Sequence, residues 1–287
     1  MAVRIVLDTG PVRNVIEGDP RQIDLEALRR ARPSVRTSIA GPALAELAEQ
    51  LIDGAIRLPL WIANVGQYDG VLDDEWPFLP SGRQLTAFTG VAQTGTDINL
   101  AEESRLLQTW WRLFRQLRST ADLMAGLPFT FANGQQSVVA VDEPRLRQTI
   151  AETRNGWIGY VQSFSGRSGI DASRQAILNE IIRRHGQEDG DATDQQQRLM
   201  PVFNMIAILV ESSLRSRTPY NPELRRRRGD TFDITLLYVL AHPEALIVTA
   251  DGPFIERLRQ TRLPDAARVL SIEELNERLQ GGTLDEV

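Results

Sequence analysis

Two acidic residues, Asp8 and Asp251, each directly follow a short apolar run, VRIVL in one case and LIVTA in the other. Such runs are typical of buried strands, and adjacent parallel strands would bring both carboxylates to one edge of a sheet. Two carboxylates at close range repel each other unless a cation lies between them. The pair therefore indicates a divalent metal site, although a single acid after a strand can also be a helix N-cap or turn residue.

Further acids are placed to join this pair. Glu46 lies in the first turns of the apolar helix pattern GPALAELAEQL, and Asp233 opens DITLLYVLA three residues after Asp230. The chain has two histidines, His185 and His242, and no cysteine, which excludes a multi-histidine or thiolate metal site. Metal chemistry must therefore use carboxylates, which favour hard ions such as Mg²⁺ or Mn²⁺.

The basic residues exclude other classes of enzyme. All 32 are arginine, so the chain lacks the lysine that a P-loop or a Schiff-base mechanism requires. A net charge of −6 argues against binding nucleic acid through overall charge, but it leaves a local basic groove open. The run Arg225–Arg228, just before Asp230, is either such a phosphate contact or a solvated loop.

The elements that would position these acids follow from the apolar pattern. Residues 3–7 and 245–251 predict buried strands, and residues 34–39 predict another β segment. GPALAELAEQLIDG predicts an amphipathic helix that begins with proline and ends at glycine. Right-handed βα crossovers would place the carboxyl ends of the two apolar strands at the same edge of a parallel sheet.

The middle of the chain differs from its two ends. It opens with a stretch rich in turn formers and aromatic residues, which predicts irregular structure, and 186–197 predicts a polar loop. Helical patterns occupy 101–119, 143–163, 172–185 and 197–216. We therefore divide the chain into an N-terminal half of an α/β core (1–54), a mostly α-helical insertion (55–221) and a C-terminal half of the core (222–287).

Four motifs of this chain resemble those of the PIN-domain nucleases. An Asp ends the first strand in VLDTGPV, a Glu lies within PALAELAEQL, an Asp opens DITLLYVLA, and an Asp follows a strand in IVTADGPF. The match covers roughly 1–54 and 225–280, which is under half of the chain. Gly10 departs from the Asn or Ser that the family often has, and the middle far exceeds the short helical hairpin of the compact toxin members.

The resemblance implies a PIN-like parallel sheet flanked by helices, built from both chain ends, and a metal-dependent nuclease that acts on RNA rather than DNA. One or two Mg²⁺ or Mn²⁺ ions would activate water for in-line attack on a phosphodiester; paired ions lie about 3.5–4 Å apart. The implied acidic cluster is Asp8, Glu46, Asp233 and Asp251, with Asp230 as a substitute or auxiliary ligand.

The other implied roles surround this cluster. Asp8 and Asp251 would bind the ion directly, whereas Glu46 and Asp233 would bind it directly or through water. Thr249 and Ser38 would orient the ligands, and Arg225, Arg226, Arg227 and Arg228 would hold substrate phosphates. The resemblance leaves open a protein inhibitor or a homo-oligomer as partner, and a catalytically inactive PIN-like module that binds RNA or protein through the insertion.

Two other enzyme classes fit less well. The triplet Asp8-Thr9-Gly10 matches an aspartic-protease loop, but that enzyme needs two facing loops on a mostly β framework, and TADG at 249–252 has a different order. A haloacid-dehalogenase phosphatase would need an Asp at position 10 and a lysine. The metal-dependent nuclease is therefore preferred to both.

The remaining aromatic and histidine residues predict structural roles. Trp110, Trp111 and Phe114 have the spacing of helix residues that pack into a core, although they could also stack bases. His185 is placed to cap a helix end, and His242 precedes a proline in a helix-ending loop. The chain has no apolar segment of the roughly 20 residues that span a membrane and no signal-peptide pattern, so we expect a cytoplasmic protein without a membrane partner.

Overall fold

The computed structural model describes residues 2–89, 99–165, 174–185, 192–215, 235–260 and 262–284. Its strands are β1 (Val3–Leu7), β2 (Val35–Ile39), β3 (Leu127–Thr130), β4 (Gln136–Val139), β5 (Ala245–Val248) and β6 (Val269–Leu270). The helices are α1 (Thr9–Glu17), α2 (Leu25–Ala31), α3 (Gly41–Ile52), α4 (Leu58–Asn64), α5 (Gly82–Phe88), α6 (Leu100–Gln116), α7 (Ala121–Ala125), α8 (Glu143–Ser165), α9 (Arg174–His185), α10 (Ala192–Arg215), α11 (Gly252–Arg259) and α12 (Ile272–Gly281). Short 3₁₀ helices cover Val65–Tyr68, Tyr238–Ala241 and Pro264–Arg268.

The protein has an α/β fold around a parallel sheet of four strands in the order β2-β1-β5-β6, flanked by helices. β1 pairs with β2 and β5, with Leu7 opposite both Ile39 and Val248. β5 is buried along its whole length, and β1 is buried except at Arg4, as expected for central strands covered on both faces. Strands from both ends of the chain therefore build one sheet, and β1 and β5 end at the same edge.

A non-helical segment extends the sheet beyond β2. The amide of Asp73 donates to the carbonyl of Thr37 at 2.7 Å, and the amide of Leu79 donates to that of Ile39 at 2.8 Å. Gly41 lies against this segment so closely that a Cβ atom there would be 2.5 Å from the Leu79 carbonyl oxygen. Glycine is therefore required at the start of α3, and residues 72–79 cover what would otherwise be an open sheet edge.

The middle of the chain is mostly helical in the described residues, and α6, α8, α9 and α10 confirm the four predicted helices. Two predictions were wrong. The polar loop expected over 186–197 is helical from residue 192, where α10 begins. The opening stretch, expected to be irregular, contains α4, which has proline in its first turn and buries its own Trp61. The antiparallel pair β3 and β4, turning at Gly134 with φ of 84°, was not predicted.

The hydrophobic core spans the sheet and the helices around it. Side chains of β1 and β5 pack with apolar residues of α1 and α3, and the core continues without a break into the middle region through Trp61, Phe78 and Phe114. Within the described ranges, no helix combines the length and the apolar character needed to cross a membrane.

Candidate functional site

Asp8 lies where β1 ends and α1 begins. Its carboxylate Oδ1 accepts from the amide of Thr9 at 2.7 Å, so Asp8 is the N-cap of α1. The strand to which it belongs hydrogen-bonds to β5, because the amide of Asp8 donates to the carbonyl of Val248 at 2.9 Å. One role of Asp8 is therefore structural, and its second carboxylate oxygen points towards the end of β5.

Thr249 links Asp8 to Asp251. Its hydroxyl donates to Oδ2 of Asp8 at 2.8 Å and accepts from the amide of Asp251 at 3.1 Å. Asp251 in turn caps α11, with Oδ1 accepting from the amide of Phe254 at 2.8 Å. The two acids that follow the apolar strands are thus joined through one fully buried threonine.

Thr9 makes the corresponding link to Glu46. The Thr9 hydroxyl donates to Oε2 of Glu46, which lies on α3, and the Thr9 amide donates to Asp8. Asp8, Glu46 and Asp251 are therefore linked through two threonines at the carboxyl edge of the sheet, and we call these three residues the acidic edge. The sequence did not predict that Thr9 connects Asp8 to Glu46, because the triplet Asp8-Thr9-Gly10 gave Thr9 a meaning only in the aspartic-protease alternative.

Burial and charge both act on Asp8. Burial raises the pKa of its carboxyl above the ordinary value, and the nearby Asp251 carboxylate raises that pKa further, whereas hydrogen bonds from Thr249 and Thr9 lower it. In the part of the chain that the structure describes, no arginine forms an ion pair with Asp8 or Asp251. Negative charge at the acidic edge is therefore not balanced by a described basic side chain at these two positions.

The donor chemistry of the acidic edge suits a hard divalent ion, because its side-chain ligands are carboxylate oxygens. Each carboxylate can accept more hydrogen bonds or ligand contacts than the ones described. Among the described residues, however, no three of the acids and histidines lie close enough together to hold one ion. Asp233 and Asp230, which were predicted to complete the cluster, lie outside the described residues, as do Arg225, Arg226, Arg227 and Arg228.

Close packing fixes the two strand ends against each other. A Cβ atom on Gly10 would lie 2.8 Å from Cβ of Ala250, which is tighter than real contacts of this type. Gly10, which differs from the Asn or Ser of the PIN-domain motif, therefore lies where α1 approaches the end of β5. A cavity of about 300 Å³ opens beside this contact, lined by Thr249, Ala250, Asn14 and Arg21 among others.

Other predicted residues lie away from the acidic edge. The hydroxyl of Ser38 accepts from the Arg4 guanidinium at 2.8 Å, and that arginine also forms an ion pair with Asp73. Phe114 is fully buried, which confirms the core interpretation for this residue, whereas Trp110 and Trp111 pack against the core and stay partly exposed.

The two histidines lie at the ends of helices. His185 is the last residue of α9. His242 follows the 3₁₀ helix Tyr238–Ala241, and its Nδ1 accepts from the amide of Glu244 at 3.2 Å. Both positions agree with the helix-end locations predicted for them.

Comparison with protein families, with curated proteins and with solved structures found no match for this chain. The site must therefore be interpreted from its own geometry and from the four motifs.

Proposed function

We propose that the chain is a PIN-like, Mg²⁺- or Mn²⁺-dependent nuclease that hydrolyses phosphodiester bonds in RNA in preference to DNA. The observation that supports this most is the linkage of Asp8, Glu46 and Asp251 at one sheet edge by hydrogen bonds through Thr9 and Thr249. The parallel sheet, with strands from both chain ends, is also what a PIN-like fold requires. The preference for RNA follows from the resemblance of the motifs.

Asp8 and Asp251 would hold the ion directly, with Glu46 and Asp233 as further ligands and Asp230 as a possible substitute. Asp8 depends most on the bound ion, because burial makes its ionised form unfavourable until a cation is present. When bound, a divalent ion supplies Lewis acidity for attack of water on a phosphodiester. Thr249 keeps Asp8 turned towards Asp251, and Thr9 keeps Glu46 beside Asp8.

The cavity beside the strand ends is lined by Thr249, which donates to Asp8, so a substrate group there would lie one residue from the acidic edge. Arg21 lies at its border with a side chain that is mostly exposed and ion-paired to Asp19 at 3.3 Å. Arginine is the only strongly basic side chain that the sequence offers, so phosphates of the substrate must be held by guanidinium groups. We include Arg225, Arg226, Arg227 and Arg228 in this role because of their position next to Asp230 in the sequence.

The test combines metal binding with cleavage. We expect Mn²⁺ at about 100 times its dissociation constant to stabilise the native protein by about 2.7 kcal/mol, which raises the melting temperature by several degrees. Asp8→Asn should abolish this shift and the Mn²⁺-dependent cleavage of a labelled RNA. Asp53→Asn is the matched control, because Asp53 is an exposed acid whose carboxylate pairs with Arg147 at 2.7 Å, outside the acidic edge.

The outcomes separate the two functions that the sequence left open. A melting temperature that does not respond to Mn²⁺, together with uncut RNA, would contradict the nuclease and favour a catalytically inactive module. Equal loss of the Mn²⁺ response in Asp8→Asn and Asp53→Asn would show that the ion acts on overall charge rather than at the acidic edge. Cleavage of a DNA strand of the same sequence at the same rate would contradict the preference for RNA.

A further inference from the structure

A second cavity lies in the middle region, on the side of β2 that faces away from β1 and β5. Its volume is about 630 Å³, and it is enclosed by α6, by residues 68–77 and by β3. That volume falls in the range of ligand-binding clefts. We call it the α6 cleft.

The acids that border the α6 cleft are all paired with arginine. Asp69 pairs with Arg115 at 2.5 Å, and Asp74 pairs with Arg32. Asp73 has a side chain that is 3% exposed and pairs with Arg4 at 3.2 Å. These three carboxylates therefore present little uncompensated negative charge to a ligand in the cleft.

Two arginines on α6 differ from these, because they face the cleft without a carboxylate. Arg105 donates to the carbonyl of Thr130 at 2.8 Å and lies 5.4 Å from the ring centre of Phe129. Arg112 donates to the hydroxyl of Thr109 at 2.8 Å. Within the described ranges, neither forms an ion pair, so both guanidinium groups keep their charge available. Two guanidinium groups of the described cleft lining therefore have no carboxylate partner, in a protein whose net charge is −6.

The spacing of the two arginines indicates what they would bind. Positions 105 and 112 are two helical turns apart on one face of α6, which corresponds to a rise of about 10 Å. A separation of this size between the two Cα atoms suits two phosphates of one chain better than a single phosphate. Trp111 also borders the cleft, held edge-on by Tyr68 at 6.1 Å and by Phe78 at 5.9 Å between ring centres. A rigid, partly exposed indole is a surface on which a base stacks.

We propose that the α6 cleft binds a single-stranded nucleic acid, with one backbone phosphate at Arg105, a second at Arg112 and a base against Trp111. The choice of nucleic acid rests on the proposed function, of which this cleft would be the strand-binding part. The positive charge and the spacing do not depend on the acidic edge, so a phosphate-bearing strand would bind whether or not the protein cleaves it. The two arginines are bidentate donors of the kind that match phosphate oxygens.

The experiment measures binding of a fluorescein-labelled oligouridine to the full chain by anisotropy, with EDTA present. All variants carry Asp8→Asn, so that cleavage cannot influence the result. We expect Arg105→Gln and Arg112→Gln each to weaken binding on the order of fivefold, and both together by more than about tenfold. Because each lost phosphate contact lowers the salt dependence for single strands by about 0.7, the double variant should lower that slope by about 1.4.

Arg145→Gln is the matched control, since it removes the same charge from an exposed position on α8, outside the cleft. Its affinity for oligouridine should stay within about twofold of the parent. Loss of affinity equal to that of the cleft variants would show that only overall charge matters, and would overturn the proposal. Unchanged binding in the double variant would overturn it as well.

Competition distinguishes a strand from a free phosphate compound. Inorganic phosphate and uridine monophosphate, added at the same concentration of phosphate groups, should displace the oligouridine poorly, because each can reach only one of the two arginines. Equal displacement by either compound would point to a single-phosphate site and contradict the proposed strand. If the nuclease test fails but oligouridine binding still depends on the two arginines, the proposed nuclease activity is contradicted and the proposed strand binding by the α6 cleft is supported.

Discussion

The same sheet holds two carboxylates in opposite ways. Asp73, on the segment that extends the sheet beyond β2, has a 3% exposed side chain and lies 3.2 Å from Arg4 and 3.8 Å from Arg36. Asp8, at the end of β1, is surrounded by the hydroxyl of Thr249, the amide of Thr9 and the carboxylate of Asp251. One acid is paired with cations, whereas the other is held by neutral donors beside a second acid.

On the proposed function, this difference separates an acid that stabilises the fold from one that would bind a cation. A buried ion pair with both partners present is tolerated because the attraction offsets the desolvation of each charge. The desolvation of Arg4 is an example, because burial lowers the pKa of its guanidinium while the Asp73 carboxylate acts to raise it. Asp8 and Asp251 have no ion pair with a described basic side chain, so the desolvation of Asp8 is recovered only when an external cation binds or when the carboxyl takes a proton.

The largest effect is expected at the paired acid. Replacing Arg4 by methionine removes the guanidinium that pairs with Asp73, donates to Ser38 and lies 5.1 Å from the ring centre of Phe88. Because Asp73 then stays buried beside only the more distant Arg36, we expect a loss of about 3–5 kcal/mol in the free energy of unfolding. Urea denaturation measures this loss.

The control for this prediction is Arg36→Met, which removes a 55% exposed partner at 3.8 Å and should cost less than about 1 kcal/mol. Arg4→Met combined with Asp73→Leu should recover part of the loss, because no unpaired charge remains buried. Equal effects of Arg4→Met and Arg36→Met would show that the pair is no more important than a surface contact.

A smaller effect is expected where neutral donors hold the acid. Thr249→Val keeps the shape of the buried side chain but removes the donor to Asp8 and the acceptor of the Asp251 amide. We expect a loss of about 1–3 kcal/mol, together with a Mn²⁺-induced rise in melting temperature smaller than that of the native protein. Differential scanning fluorimetry with and without Mn²⁺ measures both. A full Mn²⁺ response in this variant would show that Thr249 does not position Asp8.

The comparison of Asp8 with Asp73 also shows which parts of the site could be predicted from the sequence. The apolar runs ending in Asp8 and Asp251 predicted adjacent parallel strands, and the pairing of β1 with β5 confirms this, because continuous apolar strands have few alternatives to the centre of a sheet. The helix carrying Glu46 was predicted from its apolar spacing and its flanking proline and glycine, and α3 confirms it. Local pattern was sufficient for these elements.

The connections between the elements could not be predicted, because they depend on packing between distant segments. The Thr9 hydroxyl reaches Glu46 only once α1 lies against α3, 37 positions further along the chain. The Arg4–Asp73 pair likewise requires residues 72–79 to lie beside β2, and nothing in that stretch alternates like a strand. β4 is exposed over most of its length, so it lacked the apolar alternation that identifies a strand.

The smallest effect concerns Asp8 in the absence of metal, and its sign is opposite to that of the other variants. Burial raises the pKa of Asp8 in the folded protein above the unfolded value of about 3.9. Between these two pKa values the folded state binds more protons than the unfolded state, so its stability falls as the pH rises. The stability contributed by Asp8 is fully present below the unfolded pKa and is lost as the pH rises through the folded pKa.

Asp8→Asn removes this titration and keeps a side chain that caps helices well. With EDTA present, we therefore expect the variant to be more stable than the native protein at pH 7, and the difference to shrink as the pH is lowered towards 4. Urea denaturation of both proteins across this range measures the difference, and Mn²⁺ at pH 7 should reverse its sign, because only the native carboxylate gains a cation. A variant that is less stable at every pH would mean that Asp8 stabilises the fold as Asp73 does, and the distinction between the two buried acids would then disappear.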